Sequence, residues 1–356
     1  MRTEQNKTRI VYLDALRIFA TFAVMILHVA ASKWGETDVD SVEWCAMNFY
    51  DSIVRWAVPV FVMISGALFL KNDSPISIKT IYRKNIFRIA RVFVFWSSVY
   101  AILRFSKKIF VSKQSLSLTT LAGYFVNGHY HLWFLFMIVG IYMIVPFMKE
   151  ISRSGFLTKY FLALAFVFAI LIPQSKSIAI MFIHGHDKGI GSFYEKVSVN
   201  FVMGFPIYFL LGYVLSKAEI SKKMERIIYA AGLVGFVATF LLTHVISNFK
   251  HNASEIFYDT KTLNVFLESV CVFVFFRQHM NFKAKNSNWL ILLSQYSFGA
   301  YLVHDLVIQM LRFIGLNTVS FAPALSIPVI SVIVFVISFA FSGILNNIPV
   351  VKKYVL

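Results

Sequence analysis

The chain has 356 residues, 58% of them hydrophobic and only 14% charged, against about 25% charged in an ordinary soluble protein. That composition excludes a soluble globular domain and points to a polytopic membrane protein. The 34 Lys and Arg exceed the 17 Asp and Glu by a net charge of +17, which topology explains without any nucleic-acid partner, because basic residues collect in the cytoplasmic loops of membrane proteins.

Apolar runs between charged or turn-rich breaks mark about ten spans, at 10–31, 52–70, 86–103, 132–148, 160–173, 200–216, 227–247, 262–276, 289–311 and 324–346. A helix needs about 20 residues to cross the hydrocarbon core, so the fifth, sixth and eighth read as short. The expected fold is an all-α polytopic membrane protein, with about ten transmembrane helices in one bundle. It forms a single membrane-embedded domain over 1–356, with no extramembrane catalytic domain. Lys and Arg favour the loops on the N-terminal side, which places both termini in the cytoplasm. No cleavable signal sequence is evident, so the first span is expected to stay.

That first span carries charge. It begins Tyr12-Leu13-Asp14-Ala15-Leu16-Arg17 and runs on to His28. An Asp or Arg near a helix centre costs roughly 2.5 to 3.5 kcal/mol on insertion scales, so such residues usually face a bundle interior or a watery cavity. Arg17 and His28 are eleven residues apart, so both project from one face about 16 Å apart in depth. Asp14 precedes Arg17 at the spacing of a helical ion pair. With the N-terminus inside, Arg17 lies toward the cytoplasm and His28 toward the outer leaflet. The same residues also fit an interfacial anchor with an inert, packed imidazole.

In the second span Pro59 is expected to kink the helix, and Ser65-Gly66 to permit close helix contact. Arg55 at its outer end reads as an interface anchor or a ligand contact. The third span opens Lys84-Asn85-Ile86-Phe87-Arg88-Ile89-Ala90-Arg91. Two guanidiniums one turn apart suit bidentate phosphate contacts, or snorkel to lipid headgroups as an anchor. With Arg17 at the same depth, three guanidiniums would make an anion site. His129-Tyr130-His131-Leu132-Trp133-Phe134 enters the fourth span as an aromatic belt. Histidines two apart do not share a helix face, and His184 with His186 beside Asp187 is a similarly weak metal signal. Tyr301, His304 and Asp305 in the ninth span and Glu268 in the eighth are intramembrane polar groups that need partners. Cys45 and Cys271 supply neither a disulfide framework nor a metal set, and no metal is expected. The phosphate-loop, dinucleotide, GxSxG and HExxH motifs are all absent from the sequence.

The Leu13-to-Arg17 lead-in, Arg17 with His28, Arg88-Ile89-Ala90-Arg91, and Tyr301 to His304 together resemble the acyltransferase-3 membrane acyltransferases. Val58 to Phe69 and Tyr130 to Phe134 further resemble the stand-alone branch that includes the O-acetyltransferase of enterobacterial common antigen. The likeness covers essentially the whole chain. It implies a cytoplasmic acyl-CoA donor, with acetyl-CoA the expected substrate, and a hydroxyl of a cell-surface or lipid-linked glycan as extracytoplasmic acceptor. The implied location is the cytoplasmic (inner) membrane of a bacterium. Mapped onto this chemistry, His28 and Asp14 form the catalytic set, with Asp14 orienting Arg17. Arg17, Arg88 and Arg91 hold the donor phosphates, and Tyr130, His131, Trp133, Tyr301 and His304 line the acceptor side. His28 then acts as general base or carries the acyl group itself. Many relatives fuse a periplasmic esterase-like domain to the C-terminus; this chain is expected to work without one. A transporter or flippase for a lipid-linked sugar or small anion would use the same buried charges, but no inverted repeat or pair of broken helices supports it.

Overall fold

The computed structural model describes residues 10–71, 77–114, 117–182, 204–280 and 288–356, apart from the side chains of 180–182, 352 and 353. Among the described residues every regular element is helical. The helices are α1 (Val11–Ala31), α2 (Val42–Ser52), α3 (Ala57–Phe69), α4 (Phe87–Phe110), α5 (Leu118–Asn127), α6 (Trp133–Arg153) and α7 (Gly155–Phe166). They continue with α8 (Ile172–Phe182), α9 (Pro206–Lys217), α10 (Lys222–Lys250), α11 (Leu263–His279), α12 (Asn288–Phe313), α13 (Pro323–Asn347) and α14 (Pro349–Tyr354). Among the described residues eight helical stretches are long and apolar enough to cross a membrane. The chain is an all-α polytopic membrane protein, the architecture in which each backbone polar group finds its partner within its own segment. The expected sixth and eighth spans correspond to the shorter α9 and α11, of 12 and 17 residues; residues 200–203 lie outside the described residues.

Helix starts follow local chemistry. Ser41, Ser117, Ser154 and Ser221 each accept a hydrogen bond from the backbone N–H three residues on, at 3.1, 3.3, 3.2 and 3.2 Å. These serines satisfy amide groups that the first turn leaves without a helical partner.

Two spans differ from the sequence expectation. The second is not kinked at Pro59. The helical run breaks upstream, between Ser52 and Ala57, and Pro59 falls in the first turn of α3. There its missing N–H is no loss, because first-turn amides have no helical acceptor. The fifth is not short. α7 runs into a π-helical turn at Val167–Leu171 and continues as α8 to Phe182. In that turn Ile172 N–H reaches back to Val167 O, and the wider turn accommodates Pro173, where a regular helix would clash with a carbonyl.

Contacts group the chain into two compact units, Met1–Asn72 with Ile151–Phe339, and Asp73–Glu150 with Ala340–Leu356. In the first unit α1 packs along α12, α3 along α9, and α10 along α11. Glycines let α3 and α9 touch backbone to backbone: a Cβ at Gly66 would stand 1.7 Å from Phe209 O, and one at Gly212 would stand 2.1 Å from Met63 O. Helices associate in lipid through this kind of close packing. In the second unit α5 packs on α4, as does α14.

Candidate active site

α1 and α12 run parallel, so the polar residues of one meet those of the other at two levels. At the first level Ser294 donates to Asp14 Oδ1 at 2.5 Å and accepts from Arg17 Nη1 at 3.3 Å. The direct separation of Arg17 Nη1 from Asp14 Oδ1 is 4.0 Å. Asp14 therefore holds Arg17 largely through a serine on the neighbouring helix. Asp14 is 5% exposed, and burying a carboxylate requires this kind of hydrogen-bonded, charge-balanced setting.

Ten residues further along α12, about 15 Å by helical rise, comes the second level. Here the rings of His28 and His304 stack at 5.0 Å between centroids and 29° between planes. The Tyr301 ring lies 5.7 Å from His304 at 26°, and His304 Nδ1 meets Tyr301 O. On the same helix Gln309 Nε2 donates to Asp305 Oδ2 at 2.5 Å. Beyond both helices, Ser32 Oγ and Thr318 Oγ1 hydrogen-bond at 2.7 Å, with Thr318 also donating to Val29 O at 2.6 Å.

Arg55 is part of a second polar cluster in the first unit. It ion-pairs with the fully buried Asp51 and lays its guanidinium over the Tyr258 ring, 3.7 Å from the centroid. The Tyr258 hydroxyl donates to Asn48 Oδ1, and Asn48 Nδ2 donates to Phe240 O at 3.1 Å. Burial pushes the Tyr258 phenol well above its ordinary range, and the nearby Asp51 carboxylate adds to the shift. The buried Glu268 meets Thr239 Oγ1 at 2.5 Å, and Asn264 donates to that same hydroxyl at 2.8 Å.

Arg88 and Arg91 belong to the second unit. Arg88 Nε and Nη2 donate to Leu356 O at 2.9 and 2.7 Å, and Trp96 Nε1 donates to Val355 O at 3.0 Å. The Arg91 guanidinium lies 5.6 Å from the Tyr354 ring centroid and 5.4 Å from that of Phe87. Both arginines thus face the C-terminal helix. Of the aromatic entry to α6, Tyr130 and Trp133 are exposed and His131 is buried. His129 and His131 do meet: their Nδ1 atoms are 3.0 Å apart. The spacing argument against them assumed an α-helix, whereas His129 is extended at φ −79°, ψ 150° and 130–132 form a 3-10 turn. Tyr100 stacks on His129 at 4.4 Å and meets His131 edge-on at 5.0 Å. His184 and His186 lie outside the described residues.

Residues 10–345 match the family model Acyl_transf_3, described as an acyltransferase domain. The chain belongs to the acyltransferase-3 family. Comparisons with curated proteins and with solved structures give no match. As a membrane acyltransferase, the protein needs a group that binds the donor and one that moves a proton or accepts the acyl group. The α1–α12 pair presents a guanidinium at one level and an imidazole at the other. Sequence reasoning found Asp14, Arg17, His28 and His304 but missed Ser294 as the bridge. It also missed Asp51, whose i, i+4 spacing to Arg55 was the available signal.

Proposed function

We propose that this acyltransferase moves an acyl group, acetyl in the simplest case, from cytoplasmic acyl-CoA to a hydroxyl of a cell-surface or lipid-linked glycan on the extracytoplasmic side. The observation that carries the reading is the two-level α1–α12 pair, with Arg17 held by Asp14 and Ser294 at one depth and His28 stacked on His304 at the other. With both termini read as cytoplasmic from the bias of basic residues, Arg17 stands at the cytoplasmic level in this reading. In this reading Arg17 meets a donor phosphate, and the long pantetheine arm carries the thioester toward His28. Asp14 lies fourteen residues from His28, about 21 Å along α1, and so serves the donor end by orienting Arg17.

His28 accepts the proton of the acceptor hydroxyl as the new C–O bond forms. The C–S bond of the thioester breaks, and the proton passes to the departing thiolate. A neutral imidazole, with an unperturbed pKa of about 6.5, suits that transfer near neutral pH. Tyr130 and Trp133, both exposed, are proposed to offer flat surfaces to a sugar ring. Arg88 and Arg91 are proposed as phosphate contacts, with the condition that the donor takes over the fork Arg88 now extends to Leu356. Mass spectrometry of surface glycans with and without the gene tests the reading. Loss of one acyl substituent on deletion is the expected result, and an unchanged glycan profile would overturn it.

A further inference from the structure

We infer that Tyr12 and Arg277 form a phosphate-binding site where the start of α1 meets the end of α11, apart from the Arg17–His28 face. Both residues belong to the first unit. Tyr12 is the second residue of α1, and Arg277 lies in the last turn of α11. Tyr12 precedes Arg17 by five residues, which is about 140° round the helix. The site therefore lies on a different flank of α1 from the one that meets α12, and neither His28 nor the glycan enters into it.

Packing brings the two side chains together. The Tyr12 ring meets Phe273 edge-on, 6.2 Å between centroids and 89° between planes, and Arg277 follows Phe273 by one helical turn on the same face of α11. The guanidinium is then close enough to act electrostatically on the Tyr12 hydroxyl. Tyr12 is 7% exposed, and its hydroxyl is buried with no hydrogen-bond partner among the described residues. Arg277 is half-buried, and its Nη1 is likewise buried without a partner among them. Buried polar atoms are nearly always paired, so two such atoms at one place point to a missing group.

That group must accept hydrogen bonds and carry negative charge. A guanidinium only donates, and a phenol donates readily to an anion. Among the described residues the acids of the neighbouring helices are engaged or distant. Asp14 on α1 is bound by Ser294. Glu225 on α10 accepts from Lys222 at 2.8 Å and from Tyr229 at 3.0 Å, and meets His279 at 3.0 Å. Glu268 on α11 is nine residues from Arg277, about 13 Å along the helix. α1 also begins at Ile10 without a side-chain cap, which leaves first-turn amides as further donors at the same end. A tetrahedral phosphate offers oxygens to a guanidinium fork and a hydroxyl at once. Two sources supply that chemistry: the coenzyme A of the proposed donor and the headgroup of an anionic phospholipid.

The test uses the full-length protein in a phosphate-free maltoside detergent. Two probes are titrated separately, coenzyme A and a short-chain phosphatidylglycerol, with affinity read by native mass spectrometry. Arg277→Gln is expected to weaken one probe about tenfold or more, and Tyr12→Phe to weaken the same probe about threefold. The probe affected names the source, coenzyme A for a donor contact and phosphatidylglycerol for a lipid site. Tyr12→Phe keeps the ring against Phe273 and removes only the hydroxyl, so a loss there is not a loss of fold. Because both groups hold one phosphate, the double variant is expected to bind within about twofold of Arg277→Gln. Unchanged affinity for both probes in Arg277→Gln overturns the proposal, and so does a wild-type protein that binds neither. A Tyr12→Phe protein indistinguishable from wild type overturns it too, since Arg277 would then be a lone interfacial anchor. Losses for both probes with a lowered melting temperature report damaged packing and count against the site. Coenzyme A binding that survives both substitutions upholds the donor reading even where this site fails.

Discussion

α12 and α13 follow one another in the chain and are close in length, yet they occupy opposite environments. α12 is the least hydropathic of the membrane-length helices and 61% of its span is enclosed by protein; α13 is the most hydropathic, and 39% of its span is enclosed. In water the more apolar helix would be the buried one. In a bilayer the order inverts, because lipid accepts apolar side chains as readily as protein does while hydroxyls, imidazoles and carboxylates must find partners inside. α12 supplies Ser294, Tyr301, His304 and Asp305 to the interior, and α1, also enclosed over more than half its span, meets it with Asp14, Arg17 and His28. Polarity within an apolar run is thus the sign of an inner helix and of the chemistry it carries.

The contrast is broken most directly at its reactive end. His28→Ala should lower acyl transfer about a hundredfold or more, with membrane insertion and acetyl-CoA affinity close to wild type. Near-normal acylation of the glycan would remove the imidazole from the mechanism. One level away, Ser294→Val removes one hydrogen bond from a buried carboxylate and one from Arg17, a loss of about 1–3 kcal/mol. We predict a rise of about tenfold in KM for acetyl-CoA and a smaller change in kcat. A kcat effect without a KM effect would detach Arg17 from the donor.

A smaller effect is expected in the second unit. Arg88→Lys keeps the charge but loses the two-pronged contact with Leu356. Faster hydrogen exchange over α14, with acetyl-CoA affinity falling no more than about fivefold, is the expected outcome. An unchanged exchange rate would show that the fork does not hold the C-terminal helix. The smallest change belongs to the lipid-facing side of α13. Leu325 is 64% exposed and Val329 47% exposed, so Leu325→Ala and Val329→Ala should leave activity within about twofold, since little protein packing is lost there. A large loss in thermal stability or transfer for either would show that α13 is enclosed by something beyond this chain.

The sequence made the helical class, most span positions and the polar residues of α1 legible, because apolar length and charge are written directly in the one-dimensional pattern. The Arg17–His28 face followed from helical period alone. What pairs across helices did not. Ser294 is 277 residues from Arg17, and a single serine in an apolar run carries no mark of the acid it will meet. Pro59 misled for a physical reason. A proline signals a missing N–H, but whether that bends, starts or interrupts a helix depends on the turn it falls in. Asp305 and His304 were visible as polar groups within a span; the stacking of His304 on His28 required knowing which way α12 runs beside α1.

The glycine seam between α3 and α9 carries a mechanical consequence. With Gly66 set against Phe209 O and Gly212 against Met63 O, there is no side-chain layer between the two backbones to act as a lubricant. Sliding one helix past the other by a single residue would drive a side chain into the opposing carbonyl, so the two move as one strut or not at all. Conformational steps in the catalytic cycle must then pivot elsewhere. A disulfide engineered across this seam should lock nothing that the enzyme needs to move.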